Sequence, residues 1–480
     1  MAAMGPAPPR AGWPLPQDRG QARSSGGHTK ILMPDFDDIA GRLPPAPAYW
    51  VAFSGGLDSR VLLELLARDR ARLPGPLGAV HIDHGLQADS ARWDEHCRRV
   101  CERLGIDYAG LRVDAAPAAG QSPEAAAREA RYRALREWLP GGAVLLTAQH
   151  RDDQAETLLL QLLRGAGPKG LAGMPARAPF GAGLLLRPLL EVPRQALRAW
   201  ALERGLDWIE DPSNADTRYD RNYLRHRVLP VLAQRWPAAA RTLARAAAQQ
   251  AEQAELAQAL AAIDLRDCRA AGADRLSVAR LEALPEPRRS NLLRRWVAER
   301  GLPPPPRRVL ARVTPELLRC RADAIPCVHW PGAELRRFRD HLYLSAPLPP
   351  PPAGVRLEWR PAGSLELPAA GGVLEARAVA GRGLDAARFG EVLEIRFRRG
   401  GERLRPAGRG HRHALKKLLQ EAGVPAWERA RLPLVYAAGE LVAVPGLWVA
   451  EGCQAGPGQP GLALEWSRLA GLGLARGGVA

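Results

Sequence analysis

At 480 residues the chain is too long for one hydrophobic core, and about 150 residues per domain predicts about three domains. Its 68 Lys and Arg against 51 Asp and Glu leave a net charge of +17, which suits a polyanionic partner such as nucleic acid; the blander source is an Ala-, Arg-, Gly- and Pro-biased genome, since Lys30, Lys169, Lys416 and Lys417 are the only lysines. Six scattered cysteines exclude a disulfide framework and predict a reducing, cytoplasmic setting, and no apolar run approaches the roughly 20 residues of a membrane span.

Residues 1–32 are rich in Gly, Pro, Arg and Ser without periodicity and are predicted to be a disordered extension, with Met33 the more plausible start. From Tyr49, short apolar runs alternate with helical patterns. YWVAF precedes a helix from about Arg60; GAVHIDHG, DYAGLRV and GAVLLTA read as further strands, with helices between them. Such alternation predicts a parallel, Rossmann-like sheet covered on both faces, with ligands outside the carboxyl ends of its strands. This α/β region runs from 33 to 230.

The first strand end carries Ser54-Gly55-Gly56-Leu57-Asp58-Ser59. Two glycines allow a tight turn that aims backbone N–H groups at one point, and the helix behind adds the positive end of its dipole, so a polyanion is favoured there. Ser54 and Ser59 supply hydroxyl donors, and Asp58 stands where a phosphate-bound magnesium ion needs an oxygen. No GxxxxGK[ST] string occurs, so this is not a Walker loop. An ordinary Gly-Gly turn is the alternative.

The second strand end, His81-Ile82-Asp83-His84-Gly85-Leu86, lacks the ligand spacing of a closed zinc site and favours nucleotide contact. The fourth runs from Thr147 to Thr157 and places His150 before Asp152 and Asp153. Asp153 and Glu156 share a helical face at i, i+3, an acidic cluster able to hold magnesium or a cationic substrate; a capped, solvated helix start is the alternative. Arg164 to Met174, four glycines around Lys169, reads either as a loop that closes over a nucleotide or as a plain linker. Glu210-Asp211-Pro212-Ser213-Asn214 and Arg221-Asn222-Tyr223-Leu224-Arg225-His226 suit RNA phosphate or the active site, or else a surface turn and solvated helix.

After Pro230 the pattern turns to long Ala-, Arg- and Gln-rich helices, giving a mainly helical region over 231–346 that closes with strand-like CVHW and LYLS. A Pro-rich linker follows at 347–354. Residues 355–455 read as a small α+β unit, with strands EIRFRRG and LVAVPGLWV around the helix HALKKLLQEAG, and 456–480 as a loose, Gly-rich tail. Within this unit Arg396, Arg398, Arg399, Arg403, Arg405, Arg409, Arg412, Lys416 and Lys417 face one acid, Glu402, and predict phosphate contact, with a solvated basic face as the alternative.

Taken in order, SGGLDS, HIDHGL, AREARYRAL, TAQHRDDQAET, LLRGAGPKGLAGM, EDPSN and RNYLRHRVLP resemble the motif series of the tRNA(Ile)-lysidine synthetases, in the PP-loop ATP pyrophosphatase superfamily. The likeness continues through LRRFRDHLYL to the region around GERLRPAGRGHRHALKKLLQEAGV, which matches the long, three-part form. The resemblance implies a PP-loop nucleotide-binding domain followed by a helical and a small α+β domain, both of which grip tRNA. It implies ATP and Mg2+, free L-lysine, and the isoleucine tRNA with a CAU anticodon, whose wobble cytidine is adenylated at the C2 oxygen before the lysine ε-amine displaces AMP. Ser54 to Ser59 then hold the ATP phosphates, Asp58 and Asp153 are the magnesium candidates, and Asp58, His150, Asp153 and Glu156 are the catalytic ones. The oligomeric state stays open between monomer and homodimer. Two rivals are a tRNA-thiolating relative, which needs a reactive cysteine pair that Cys97 and Cys101 do not match in spacing, and an RNA-binding protein with an inactive nucleotide fold.

Overall fold

The structure is a computed structural model and describes residues 33–83, 90–114, 123–270, 275–321, 324–352, 354–361, 363–368, 370–389 and 392–468. The extension at 1–32, His84 to Leu86, and 469–480 lie outside the described residues. The chain divides into two compact units, 1–252 and 253–480, so the helix Ala239–Cys268 crosses the division.

The first unit is built on a six-stranded sheet of β1 (Tyr49–Ala52), β2 (Leu77–Asp83), β3 (Asp107–Arg112), β4 (Val144–Leu146), β5 (Arg177–Phe180) and β6 (Gly183–Leu186), in the order β3-β2-β1-β4-β6-β5. All pairings are parallel except β5 with β6. Alternate residues feed two cores. Tyr49, Val51, Val144 and Leu146 pack with the helices Leu57–Arg68, Ser90–Leu104 and Arg194–Glu203, while Trp50, Leu145 and Leu185 join Leu135 and Leu139 near the end of the helix Pro123–Trp138. Burial on both faces is why these strands read as unbroken apolar runs. Leu62, Leu63 and Leu66 are fully buried and contribute roughly 1.5–3 kcal/mol each.

Strand order reverses between β1 and β4: the chain adds β2 and β3 on one side of β1, then crosses to β4 on the other. A crevice opens at the carboxyl ends of strands where such a reversal occurs. The chain leaves β1 through the turn at residues 53–56, which opens into the helix Leu57–Arg68, and leaves β4 through residues 147–150.

In the second unit, helices Val278–Ala283, Glu286–Glu299 and Arg307–Val313 pack with the Ala239–Cys268 helix around Trp296, Leu292 and Leu317, against a four-stranded antiparallel sheet that includes Cys327–Trp330, Ala333–Phe338 and His341–Ser345. The C-terminal part holds three further antiparallel sheets among the described residues, of five, four and two strands, with the strand Leu393–Phe397 in the five-stranded one and the helix Leu415–Glu421 directly after the two-stranded one. Trp427 stands edge-on to Phe338 and Tyr343 and ties the two parts of this unit together.

The tail expected to be loose from residue 456 instead contributes the strand Pro460–Arg468, paired over nine residues with Gly372–Ala380. Its alternating Leu462, Leu464 and Trp466 pack on the C-terminal core, a period-2 signal hidden among flanking glycines. The Pro-rich segment at 347–354 is also fastened: Arg431 donates to the Pro349 carbonyl.

Candidate active site

At the end of β1 the Phe53 N–H donates to Val80 and keeps the chain in the sheet, then Gly55 turns it with φ +79°. A Cβ at Gly55 would lie 2.8 Å from Ile209 Cδ1 and 3.1 Å from Cys97 Sγ, so neither backbone nor space admits another residue. The Ile209 N–H donates to the Gly55 carbonyl at 2.9 Å and staples the turn. Ser54 and Ser59 hydroxyls meet at 3.2 Å, Ser59 also donating to the Gly56 carbonyl at 3.0 Å. Gly56 caps the helix Leu57–Arg68 without a side-chain bond, so its first-turn amides have no capping side chain among the described residues.

Asp58 lies in the first turn of that helix. One of its oxygens is 3.5 Å from His150 Nε2; the other is buried without a hydrogen bond and 3.9 Å from Arg194 Nε. His150 is 1% exposed and caps the helix Arg151–Leu163 in a reciprocal box: its Nδ1 accepts from the Asp153 N–H, and its own N–H donates to the Asp153 carboxylate at 3.0 Å. With Nδ1 accepting, the ring proton sits on Nε2, between Asp58 and Asp153, each 3.5 Å away. Burial works against a charged imidazole here, yet the carboxylates of Asp58, Asp153 and Asp152 outweigh it and raise the His150 pKa above 6.5. Burial would raise Asp153 in turn, but His150, Arg221 and Arg225 hold it below its usual range.

Glu156 is fully buried one turn further on. Arg221 Nε donates to it at 2.8 Å and Arg225 binds it through two nitrogens at 2.7 and 3.1 Å, while both arginines also reach Asp153, at 3.4 and 3.1 Å. The acidic face read from the i, i+3 spacing is therefore closed by two arginines that themselves stand at i, i+4. That spacing match was the available signal for the missed pairing. Arg194, whose backbone N–H donates to Asp152, was missed outright.

The remaining motifs divide into braces and surfaces. His81 is buried and its Nδ1 donates to the Phe53 carbonyl at 2.8 Å, so it braces the end of β1; Asp83 pairs with Arg112 at 3.3 Å. The Gly-rich stretch after Arg164 contains the short helix Pro168–Leu171, and its far end is pinned where Gln154 bonds both the N–H and the carbonyl of Met174. Asn222 donates to the Ser213 and Asp216 carbonyls, and His226 to that of Asn214, which joins the EDPSN and RNYLRHR motifs into one turn.

The C-terminal basic residues are more neutralised than a single acid suggests. Arg396 pairs with Glu394, Arg398 with Glu402, Arg409 with Glu421 and Arg412 with Glu440, and Arg399, Arg403 and Arg405 bond backbone carbonyls; Lys416 and Lys417 are exposed.

Among the described residues no group of three or more His, Cys, Asp or Glu side chains is arranged to hold a metal ion alone. A magnesium ion bound mainly by phosphate and water needs only one or two carboxylates, and the unbonded buried oxygen of Asp58 fits that demand. Asp153 fits it less well, since both its oxygens are engaged.

Three family models match the chain: a PP-loop domain over 33–232, a TilS substrate binding domain over 276–343 and a TilS substrate C-terminal domain over 393–466. The tRNA(Ile)-lysidine synthase of Methylococcus capsulatus is 45% identical over 90% of this chain and 99% of its own length, and that of Alkalilimnicola ehrlichii 48% identical over 87% and 93%. A solved TILS C-terminal domain is 25% identical over 24% of this chain and 98% of its own, with a TM-score of 0.20. A nucleotide-binding sheet with its glycine turn at the point of strand reversal, together with relatives of this identity along nearly the whole length, assigns the chain to the tRNA(Ile)-lysidine synthase family of ligases.

Proposed function

We propose that the chain ligates free L-lysine to C2 of the wobble cytidine in the CAU anticodon of an isoleucine tRNA, consuming ATP, and does so in the cytoplasm. The carrying observation is the meeting of Asp58, His150 and Asp153 beside the Gly55 turn, at the one place where a parallel sheet of this order opens a ligand crevice. Residues 33–230 act as the catalytic domain, and 231–346 and 355–455 as the tRNA-holding ones.

In this reading Ser54 to Ser59 bind the ATP phosphates through hydroxyls and helix N-terminal amides. The cytidine O2 attacks the α-phosphorus and pyrophosphate leaves; the lysine ε-amine then bonds to C2 as the C–O bond to AMP breaks. Asp58, with Asp153 as the second candidate, would hold a magnesium ion, which would supply positive charge against the phosphates. The amine arrives protonated, with an ordinary pKa of about 10.4, and loses its proton before attack. His150, whose Nε2 lies 3.5 Å from both Asp58 and Asp153, holds the two carboxylates in place beside that crevice. Glu156 has both oxygens engaged by arginine, so it acts by positioning Arg221 and Arg225. Arg396 to Lys417 contact tRNA phosphate, with Lys416 and Lys417 the least encumbered.

Ligation is favoured over thiolation by the cysteines. Cys97 and Cys101 are fully buried, and burial pushes the Cys97 thiol far up and the Cys101 thiol to about 12, so neither supplies a thiolate at neutral pH.

The test is to incubate the protein with ATP, Mg2+, radiolabelled lysine and either isoleucine tRNA with a CAU anticodon or a methionine tRNA. Label is expected on the isoleucine tRNA alone; tRNA binding without label on either would overturn the assignment. Asp58→Ala is expected to abolish turnover and leave tRNA affinity within about twofold, and a large affinity loss would remove Asp58 from its role at the phosphates.

A further inference from the structure

Between Asp220 and Glu252 the chain contains no acid and six arginines. Arg221 and Arg225 turn inward to Glu156 and Asp153. The other four, Arg227, Arg235, Arg241 and Arg245, are exposed and make no hydrogen bond or ion pair among the described residues. Two large rings accompany them: Tyr223 is 51% and Trp236 60% exposed, and neither meets another ring or a guanidinium among the described residues. Tyr223, Arg227 and Val231 recur every four residues along a continuous helical run from Asp220 to Arg235 and are all exposed, so they share its outward face.

A Trp exposed to this extent leaves apolar surface in water, and four guanidinium groups without an acidic partner among the described residues, nearby in sequence, repel one another. Both costs are offset by one kind of partner, a polyanion with flat apolar faces. Arginines hold its phosphates, aromatic rings stack on unpaired bases, and base stacking tolerates any sequence. A protein partner would have to bring a matching acidic surface, whereas RNA brings phosphate along its whole length.

We propose that the exposed side chains of residues 223–245, on the outward face of the run Asp220–Arg235 and at the start of the helix that follows, form an RNA-docking surface, on which Tyr223 and Trp236 stack against unpaired nucleotides while Arg227, Arg235, Arg241 and Arg245 hold phosphates. The inference rests on the reading of the chain as a tRNA-modifying ligase and says where beside the catalytic crevice the RNA is held. The same helical run presents Arg221 and Arg225 to the buried acids on its inner face. RNA on its outer face therefore lies about one helix diameter, roughly 10–12 Å, from the Glu156 cluster.

The experiment uses the full chain and an unmodified isoleucine tRNA transcript with a CAU anticodon, and measures affinity across a series of KCl concentrations. Replacing the four arginines by Ala should weaken binding about 30-fold or more at low salt and reduce the slope of log K against log salt by about 3, at 0.7–0.9 per phosphate contact. Replacing them by Lys should keep the slope. Trp236→Ala and Tyr223→Ala should each weaken binding about fivefold or more with the slope unchanged, and Trp236→Phe should restore most of the loss. If the fourfold Ala variant fails to fold, as judged by its melting curve, single Arg→Ala variants replace it, each expected to lower the slope by about 0.7–0.9. Binding within twofold of wild type and an unchanged slope in the arginine variants would overturn the surface. Lysine ligation by the wild-type chain, measured in parallel, separates the two ideas: ligation with unaffected variants sinks the surface alone, and weakened variants without wild-type ligation sink the functional assignment alone.

Discussion

The two arginine-rich stretches, Arg221 to Ala251 and Arg396 to Lys417, look alike in sequence and differ in what their charges do. The second is denser, with nine cations in 22 residues by position, yet four of its seven arginines pair with acids and three of those acids, Glu394, Glu421 and Glu440, lie outside the window. The first is sparser, but its charges are sorted. Two arginines are spent on buried carboxylates and four are exposed without a counterion among the described residues. Charge counted in a window measures neither free charge nor buried pairing; the distant acids decide both.

The largest effect expected from disturbing this contrast is at Glu156. Glu156→Ala leaves Arg221 and Arg225 without their main carboxylate in a half-buried place and should cost about 3–5 kcal/mol in denaturant unfolding, with loss of ligation. A cost under about 1 kcal/mol would place this cluster with ordinary surface pairs. A smaller effect is expected at the C-terminal stretch, where Glu394→Ala combined with Glu421→Ala frees Arg396 and Arg409. The salt dependence of tRNA binding should steepen by about 1.4–1.8 while the melting temperature stays put; an unchanged slope would mean those arginines do not reach phosphate. The smallest is a titration. Hydrogen bonds from Arg396 and Arg409 hold Glu394 and Glu421 below the usual 4.5, so the pairs are intact above that value and part only as pH falls through the lowered pKa values. Carbon-detected NMR that finds either carboxyl titrating at its ordinary value would dissolve the pairing.

Much of the α/β region was legible because its signals are local. Apolar runs of strand length, a glycine pair and a helical period lie within a dozen residues of one another at Tyr49 to Arg68, and the i, i+3 spacing of Asp153 and Glu156 is equally short-range. What escaped depends on distance. The arginines that close the Glu156 cluster are 65 and 69 residues away, Ile209 clamps Gly55 from across the unit, and the strand Pro460–Arg468 gains its meaning only from Gly372–Ala380. His81 read as a nucleotide contact because two histidines and an acid stand together at a strand end without the spacing of a closed zinc site; in the fold the neighbouring strand end offers it the Phe53 carbonyl.

The Glu156 cluster also sets a timetable for biosynthesis. Its acid leaves the ribosome 65 residues before Arg221 and 69 before Arg225, which at 5–20 residues per second is on the order of 3–14 s. Until then a carboxylate destined for full burial lacks the two guanidinium partners it has in the fold and is buried only at the cost of taking up a proton, and β4 pairs with β1 across nearly a hundred residues of intervening chain. A nascent chain arrested short of Arg221 therefore holds every strand of the six-stranded sheet yet neither of the cations that neutralise Glu156 in the folded unit.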